Sequence, residues 1–258
     1  MVDHTSENSA PLVLVPVTAE DVARRKRRIV LACTASALAV AAMAGWLYKR
    51  SVDPLRAKES YDAGVALLST ARYSQAILSF DRTVALQPAF ADGYLMRGQA
   101  YVGEAKTERA INDFSKTLAL QPNDTRALLD RASAYLLLKD FQNAVADASR
   151  ALEINSKLAA AYNLRGAAVR SLGDPKKALA DFTRAVELAP NVNNYYQRGA
   201  TYQMLGDHQD AVADFDKVIA MKPDASPPYF ARSESRRALG DLQGAGADYL
   251  KGRLIERR

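Results

Sequence analysis

The apolar and charged positions divide this chain into two regimes. Between Ile29 and Tyr48 runs IVLACTASALAVAAMAGWLY, twenty residues without a charge. The basic cluster Arg24-Arg25-Lys26-Arg27-Arg28 precedes it, and Lys49-Arg50 follows. A helix of this length rises about 1.5 Å per residue and covers the roughly 30 Å hydrocarbon layer of a bilayer, which predicts a single transmembrane helix over 29–48. Trp46 and Tyr48 stand at its far end, where amphipathic rings settle among lipid headgroups. The apolar drive is modest, because Thr34, Ser36 and Gly45 offset the Ile, Val and Leu residues. Thr18 has the chemistry of an N-cap, so one helix is expected from about Ala19 to Arg50. Residues 1–28 read as a flexible tail ending in the basic cluster, and 49–56 as a short joint. Within the tail, LVLVPV is either a strand-forming partner motif or a disordered end with incidental valines.

Past residue 56 the apolar positions fall at helical spacing and recur. Pro88, Pro122, Ser156 and Pro190 stand 34 residues apart, and Pro223 follows at 33. Six units are predicted, near 57–90, 91–124, 125–158, 159–191, 192–225 and 226–258. Each has a small residue at its eighth place: Gly64, Gly98, Ala132, Gly166, Gly199 and Ser233. Alanine recurs at the twentieth, from Ala76 to Ala245, usually with an aromatic four residues on: Phe80, Phe114, Phe182, Phe215 and Tyr249. Small side chains at a helix crossing let the axes approach to about 8–10 Å, and rings fill the wedge beside the contact. Leu172-Gly173-Asp174, Leu205-Gly206-Asp207 and Leu239-Gly240-Asp241 read as turns in which Gly ends one helix and Asp caps the next.

This large, small, Ala, aromatic, Pro spacing resembles the tetratricopeptide repeat, a 34-residue helix-turn-helix unit. The resemblance covers residues 57–258 and implies an all-α, right-handed α-solenoid of six units behind a single transmembrane helix. The departures are local: Ser60 for a large residue in unit 1, Ala148 for the aromatic and Ser156 for Pro in unit 3, and Arg236 in unit 6. No separate capping helix is expected after unit 6. Five Arg and Asp pairs sixteen residues apart (Arg97 with Asp113, Arg131 with Asp147, Arg165 with Asp181, Arg198 with Asp214, Arg232 with Asp248) link the predicted helices of each unit. An active site is rarely repeated five times in register, so these read as ion pairs that fix helix register.

In the resembling family the first helices line a concave groove with their places 2, 5, 9 and 12, which share a face by three-and-four spacing. Carried onto this sequence, the groove residues are Tyr61, Leu95, Gln99, Leu129, Asn163, Arg170, Tyr196, Gln203, Phe230 and Arg237, with Val65, Leu68, Val102, Arg126, Ser133, Leu136, Asn193 and Glu234 beside them. Tyr61, Tyr196 and Phe230 are not needed for repeat packing; they are either anchors for a bound polypeptide or covers for neighbouring helices. The family's clamp for acidic chaperone tails needs Lys and Asn at set places, where units 1 to 3 carry Tyr61, Val65, Met96, Arg126 and Asp130. That clamp is not expected.

Composition narrows the chemistry. The chain has 258 residues and a formal charge of +6, from 35 Lys and Arg against 29 Asp and Glu. The basic residues lie along mixed-sign surfaces rather than on one face, which argues against nucleic-acid binding. One Cys and two His leave no basis for a zinc site or an intramolecular disulfide. His4 lies in the tail, and His208 takes a packing place matched by Tyr73 and Phe141. No nucleophile elbow or phosphate loop is present, so neither enzyme activity nor a cofactor is expected.

The expected function is a membrane-anchored scaffold that recruits partner proteins through the groove. The alternatives are a targeting receptor with cytosolic repeats and a permanent accessory subunit of a membrane complex. The denser basic flank places the N-terminus in the cytoplasm, with the repeats extracytoplasmic, periplasmic in a bacterium. Ala37, Ala41 and Gly45 would permit helix pairing in lipid. Two other readings concern the same segment. Cleavage after Ala42-Met43-Ala44 would release a soluble exported protein, and Val30-Leu31-Ala32-Cys33 superficially resembles a lipobox, with too few apolar residues before Cys33.

Overall fold

A computed structural model describes residues 19–257, all helix and short turn. The tail 1–18 and most side chains of the expected membrane span 29–48 lie outside the described residues. Twelve helices follow in order among them. The first is α1 (Ala19–Ser69), which contains Pro54, so the expected joint at 49–56 is helical. Proline removes one backbone donor and crowds the preceding turn, but it does not end this helix. The chain separates into two bodies, Met1–Leu55 and Arg56–Arg258.

In the second body the remaining helices are α2 (Tyr73–Leu86), α3 (Ala91–Gly103), α4 (Thr107–Leu120), α5 (Thr125–Leu137), α6 (Phe141–Ile154) and α7 (Ala159–Ser171). They continue with α8 (Pro175–Leu188), α9 (Val192–Leu205), α10 (His208–Met221), α11 (Pro227–Ala238) and α12 (Leu242–Glu256). From α3 onward each odd-numbered helix packs on the even-numbered helix that follows it, and each even-numbered helix on the next odd one. The result is an all-α helical repeat solenoid.

Steric exclusion explains the spacing of small and aromatic residues. A Cβ added to Gly98 would stand 2.5 Å from the Phe114 ring, and one added to Gly64 would stand 2.6 Å from Phe80. Both rings are fully buried, as are Phe182 and Phe215. In unit 3 the two partners change together. Ala148 replaces the ring, so Ala132 can carry the Cβ that glycine must omit elsewhere, and both alanines are buried. In unit 6 the ring of Tyr249 is half exposed, and Phe230 fills the space over Gly252 instead, 2.7 Å from where a Cβ would sit.

The turns inside the units share one left-handed residue. Gly173, Gly206 and Gly240 adopt it with φ of 92°, 86° and 85°. In the first three units the same place falls to Ala71, Ala105 and Lys139, with φ between 55° and 60°, where an L-residue costs roughly 1–2 kcal/mol. Asp174 and Asp241 cap the following helices by accepting from the Lys177 and Gly244 amides. Asp207, expected to do the same, makes no side-chain cap.

Candidate protein-binding groove

The helices that face one another across units define the groove. Besides their sequential neighbours, α3 touches α5, α5 touches α7, α7 touches α9, and α9 touches α11. Among the described residues no second helix touches the second helix of the next unit. The first helices are therefore more closely spaced and form the inner wall, as the family pattern implied.

A ladder of ion pairs fixes this arrangement. All five expected Arg and Asp pairs form, each guanidinium donating through Nε and Nη2 to both carboxylate oxygens. The five aspartates are buried. Bidentate geometry satisfies each carboxylate, which offsets its loss of water. Hydrogen bonds to Asp113 hold the Arg97 guanidinium above its ordinary pKa, against the opposing effect of burial. Tyrosines one turn away cover the cations: Arg97 stands 5.5 Å from the Tyr94 ring centre and 5.9 Å from that of Tyr101. Arg97 and Arg232 also reach back to Asp81 and Asp216 of the preceding unit, both midway along second helices.

Several expected groove residues serve the scaffold. Leu95 is a correction: it is completely buried in the core with Phe114 and Leu128, because its helical position turns it between α3 and its neighbours. The three aromatic rings cover adjacent helices. Tyr61 lies 5.1 Å from Phe90, Tyr196 lies 5.7 Å from Phe215, and Phe230 lies 5.7 Å from Tyr249. Four polar residues act as braces between successive first helices. Gln99 donates to Asp130, Asn163 to Asn194, Arg170 to Gln197 and Thr201, and Gln203 to Glu234. Burial lowers the Arg170 pKa, since its partners are uncharged and the Phe182 ring lies 5.1 Å away. Arg237 is exposed on the last first helix.

The open part of the wall is a depression of about 580 Å³ across α5, α7 and the start of α9. Leu129, Leu164 and Ala160 give it an apolar floor, and Asn163, Asn193 and Asn191 supply amides at its sides. Asp130 and Ser133 mark the edge toward α3, where a narrower cavity of about 150 Å³ adjoins it. The structure thus brings Leu129 and Asn163 into one depression, with Gln99 in the cavity beside it, while Tyr61, Phe230 and Arg237 lie elsewhere. Asp130 was missed as a groove residue. Its signal was its spacing, four residues after Arg126 and three before Ser133, which places it on the same helical face. Among the described residues there is no cluster able to hold a metal ion, and no helix is long and apolar enough to cross a membrane.

Tetratricopeptide repeat models match residues 95–159, 159–192 and 192–225, together 131 of the 258 residues (225 − 95 + 1). No curated protein matches the chain. Solved structures with similar folds include a tetratricopeptide repeat protein from Parabacteroides merdae, 22% identical, with a TM-score of 0.64 over 81% of this chain and 82% of that one. MamA 41-end from Desulfovibrio magneticus is 21% identical, with a TM-score of 0.60 over 65% and 96%. YrrB, described as having an unusual peptide-binding site, is 23% identical, with a TM-score of 0.53 over 64% and 86%.

Proposed function

Since the chain belongs to the tetratricopeptide repeat family, we propose that it is a membrane-anchored scaffold that captures an extended segment of a partner protein in the groove of α5, α7 and α9. The observation that carries this reading is the depression of about 580 Å³ on the inner wall, where an apolar floor is bordered by asparagine amides. An extended chain leaves its backbone donors and acceptors unpaired, and carboxamides can serve both. The likeness to YrrB adds support at the level of fold.

The anchor rests on the charge-free segment 29–48 and its basic flank. The described side chains of Val40, Met43 and Trp46 are exposed within the first body, as a lipid-facing surface requires. Tethering confines scaffold and partner to one surface, so a modest groove affinity suffices for capture. The basic flank on the N-terminal side supports an orientation with the repeats outside the cytoplasm.

Photo-crosslinking tests the groove. A photoreactive residue at Asn193, which is exposed on the depression, should trap a partner in membranes, whereas the same group at Glu153 on a second helix should not. Equal labelling from both positions would refute the groove. Alkaline extraction tests the anchor, which fails if the full-length chain leaves with the soluble fraction. Protease added to intact cells tests the orientation, since extracytoplasmic repeats are digested and cytosolic repeats survive.

A further inference from the structure

Five buried carboxylates of the solenoid share one pairing, and a partly buried carboxylate on the inner wall lacks it. Asp113, Asp147, Asp181, Asp214 and Asp248 each receive two hydrogen bonds from an arginine. Asp130 is partly buried on the inner wall, yet its side-chain partner is the neutral amide of Gln99, 2.7 Å from Oδ2. Arg126, one turn earlier on α5, is committed to Asp92 and Asp124, both at 2.8 Å. A carboxylate withdrawn from water without a counter-charge opposes folding. Where such a group faces a cavity, a ligand can supply the missing charge.

The cavity has the matching shape. It holds about 150 Å³, is floored by Phe114 and Ala134, and is walled by Val102, with Asp130 and Ser133 on the side shared with the larger depression. An apolar shaft with an anion at one side suits a long side chain that has a hydrocarbon stem and a cationic head. We propose that Asp130 and this cavity form a specificity subsite for a lysine or arginine side chain of the captured peptide. The stem lies along the exposed Val102, the head meets the free oxygen of Asp130, and the peptide backbone crosses the neighbouring asparagine-lined depression. This subsite rests on the groove reading above and adds to it the chemical class of the partner, a segment with a basic residue.

The test uses the full-length chain in mild detergent, exposed to pools of short peptides with randomised flanks and a fixed central residue: lysine, arginine, norleucine or glutamate. Norleucine keeps the stem and removes the charge. Lysine and arginine pools should be retained about ten-fold more than norleucine, the discrimination expected of one charge-assisted contact. Asp130→Asn and Asp130→Ser should each bring that ratio to about one while the helical circular dichroism stays unchanged, and the remote exposed Glu153→Gln should leave the ratio intact. Equal retention of all four pools would overturn the cation subsite and leave peptide capture standing. Retention of none would overturn both. A lysine preference that survives in both Asp130 variants would also overturn the assignment.

Discussion

The pairing of Gly98 with Phe114 can be measured as a coupling energy. Gly98→Ala places a methyl 2.5 Å from a fully buried ring, an overpacking that costs about 1–3 kcal/mol. Helix propensity offsets about 1 kcal/mol of it, leaving a net loss of roughly 0–2 kcal/mol. Phe114→Ala alone empties the wedge and costs about 3–5 kcal/mol. In the double variant the methyl meets no ring, so the propensity gain returns and part of the space is filled. The two changes together should then cost about 2–4 kcal/mol, less than their sum by about 1–3 kcal/mol. Unit 3 already carries this combination as Ala132 and Ala148, both buried. Urea denaturation of the four proteins, followed by circular dichroism, gives the cycle. Additivity within about 0.5 kcal/mol would refute the steric account.

Four further outcomes follow from the same geometry. Ala105→Gly relieves a left-handed residue at φ 57° and should stabilise the solenoid by about 0.5–1 kcal/mol, the strain less glycine's extra chain entropy; an unchanged urea midpoint would contradict it. Asp147→Ala strips Arg131 of its bidentate partner inside the ladder and should cost about 3 kcal/mol. Glu187→Ala, which breaks the surface pair with Arg184, should leave the midpoint where it was. Burial pushes the Asp130 carboxyl above its ordinary pKa, with the Gln99 hydrogen bond pulling it only partly back. A folded-state pKa above the unfolded one means that the charged form opposes folding at neutral pH, and this penalty fades as pH falls toward about 3.9. Asp130→Asn should therefore melt higher than the parent near neutral pH and converge with it in acid; a constant difference across that range would contradict the desolvation argument.

Periodicity carried most of the architecture in the sequence. A step of 34 with small and aromatic residues at fixed places leaves one way to nest helical hairpins, and the five Arg and Asp pairs sixteen apart announced their own contacts. These features are local or near-local, so spacing alone encodes them. Exposure on the inner wall is decided by crossing angles and by what the neighbouring unit presents. Leu95 and Leu129 hold equivalent places, yet Leu95 is sealed in the core and Leu129 lines the depression. Gln99, Asn163, Arg170 and Gln203 read as free groove donors until the next unit offers each an acceptor. Asp130 stands apart from the five paired aspartates only once Arg126 is seen to be held by Asp92 and Asp124. The sequence by itself determined the repeat and its register, because each unit's packing is written within a single period. The tertiary structure decided which polar groups remain available to a partner, because that depends on contacts between residues about thirty positions apart.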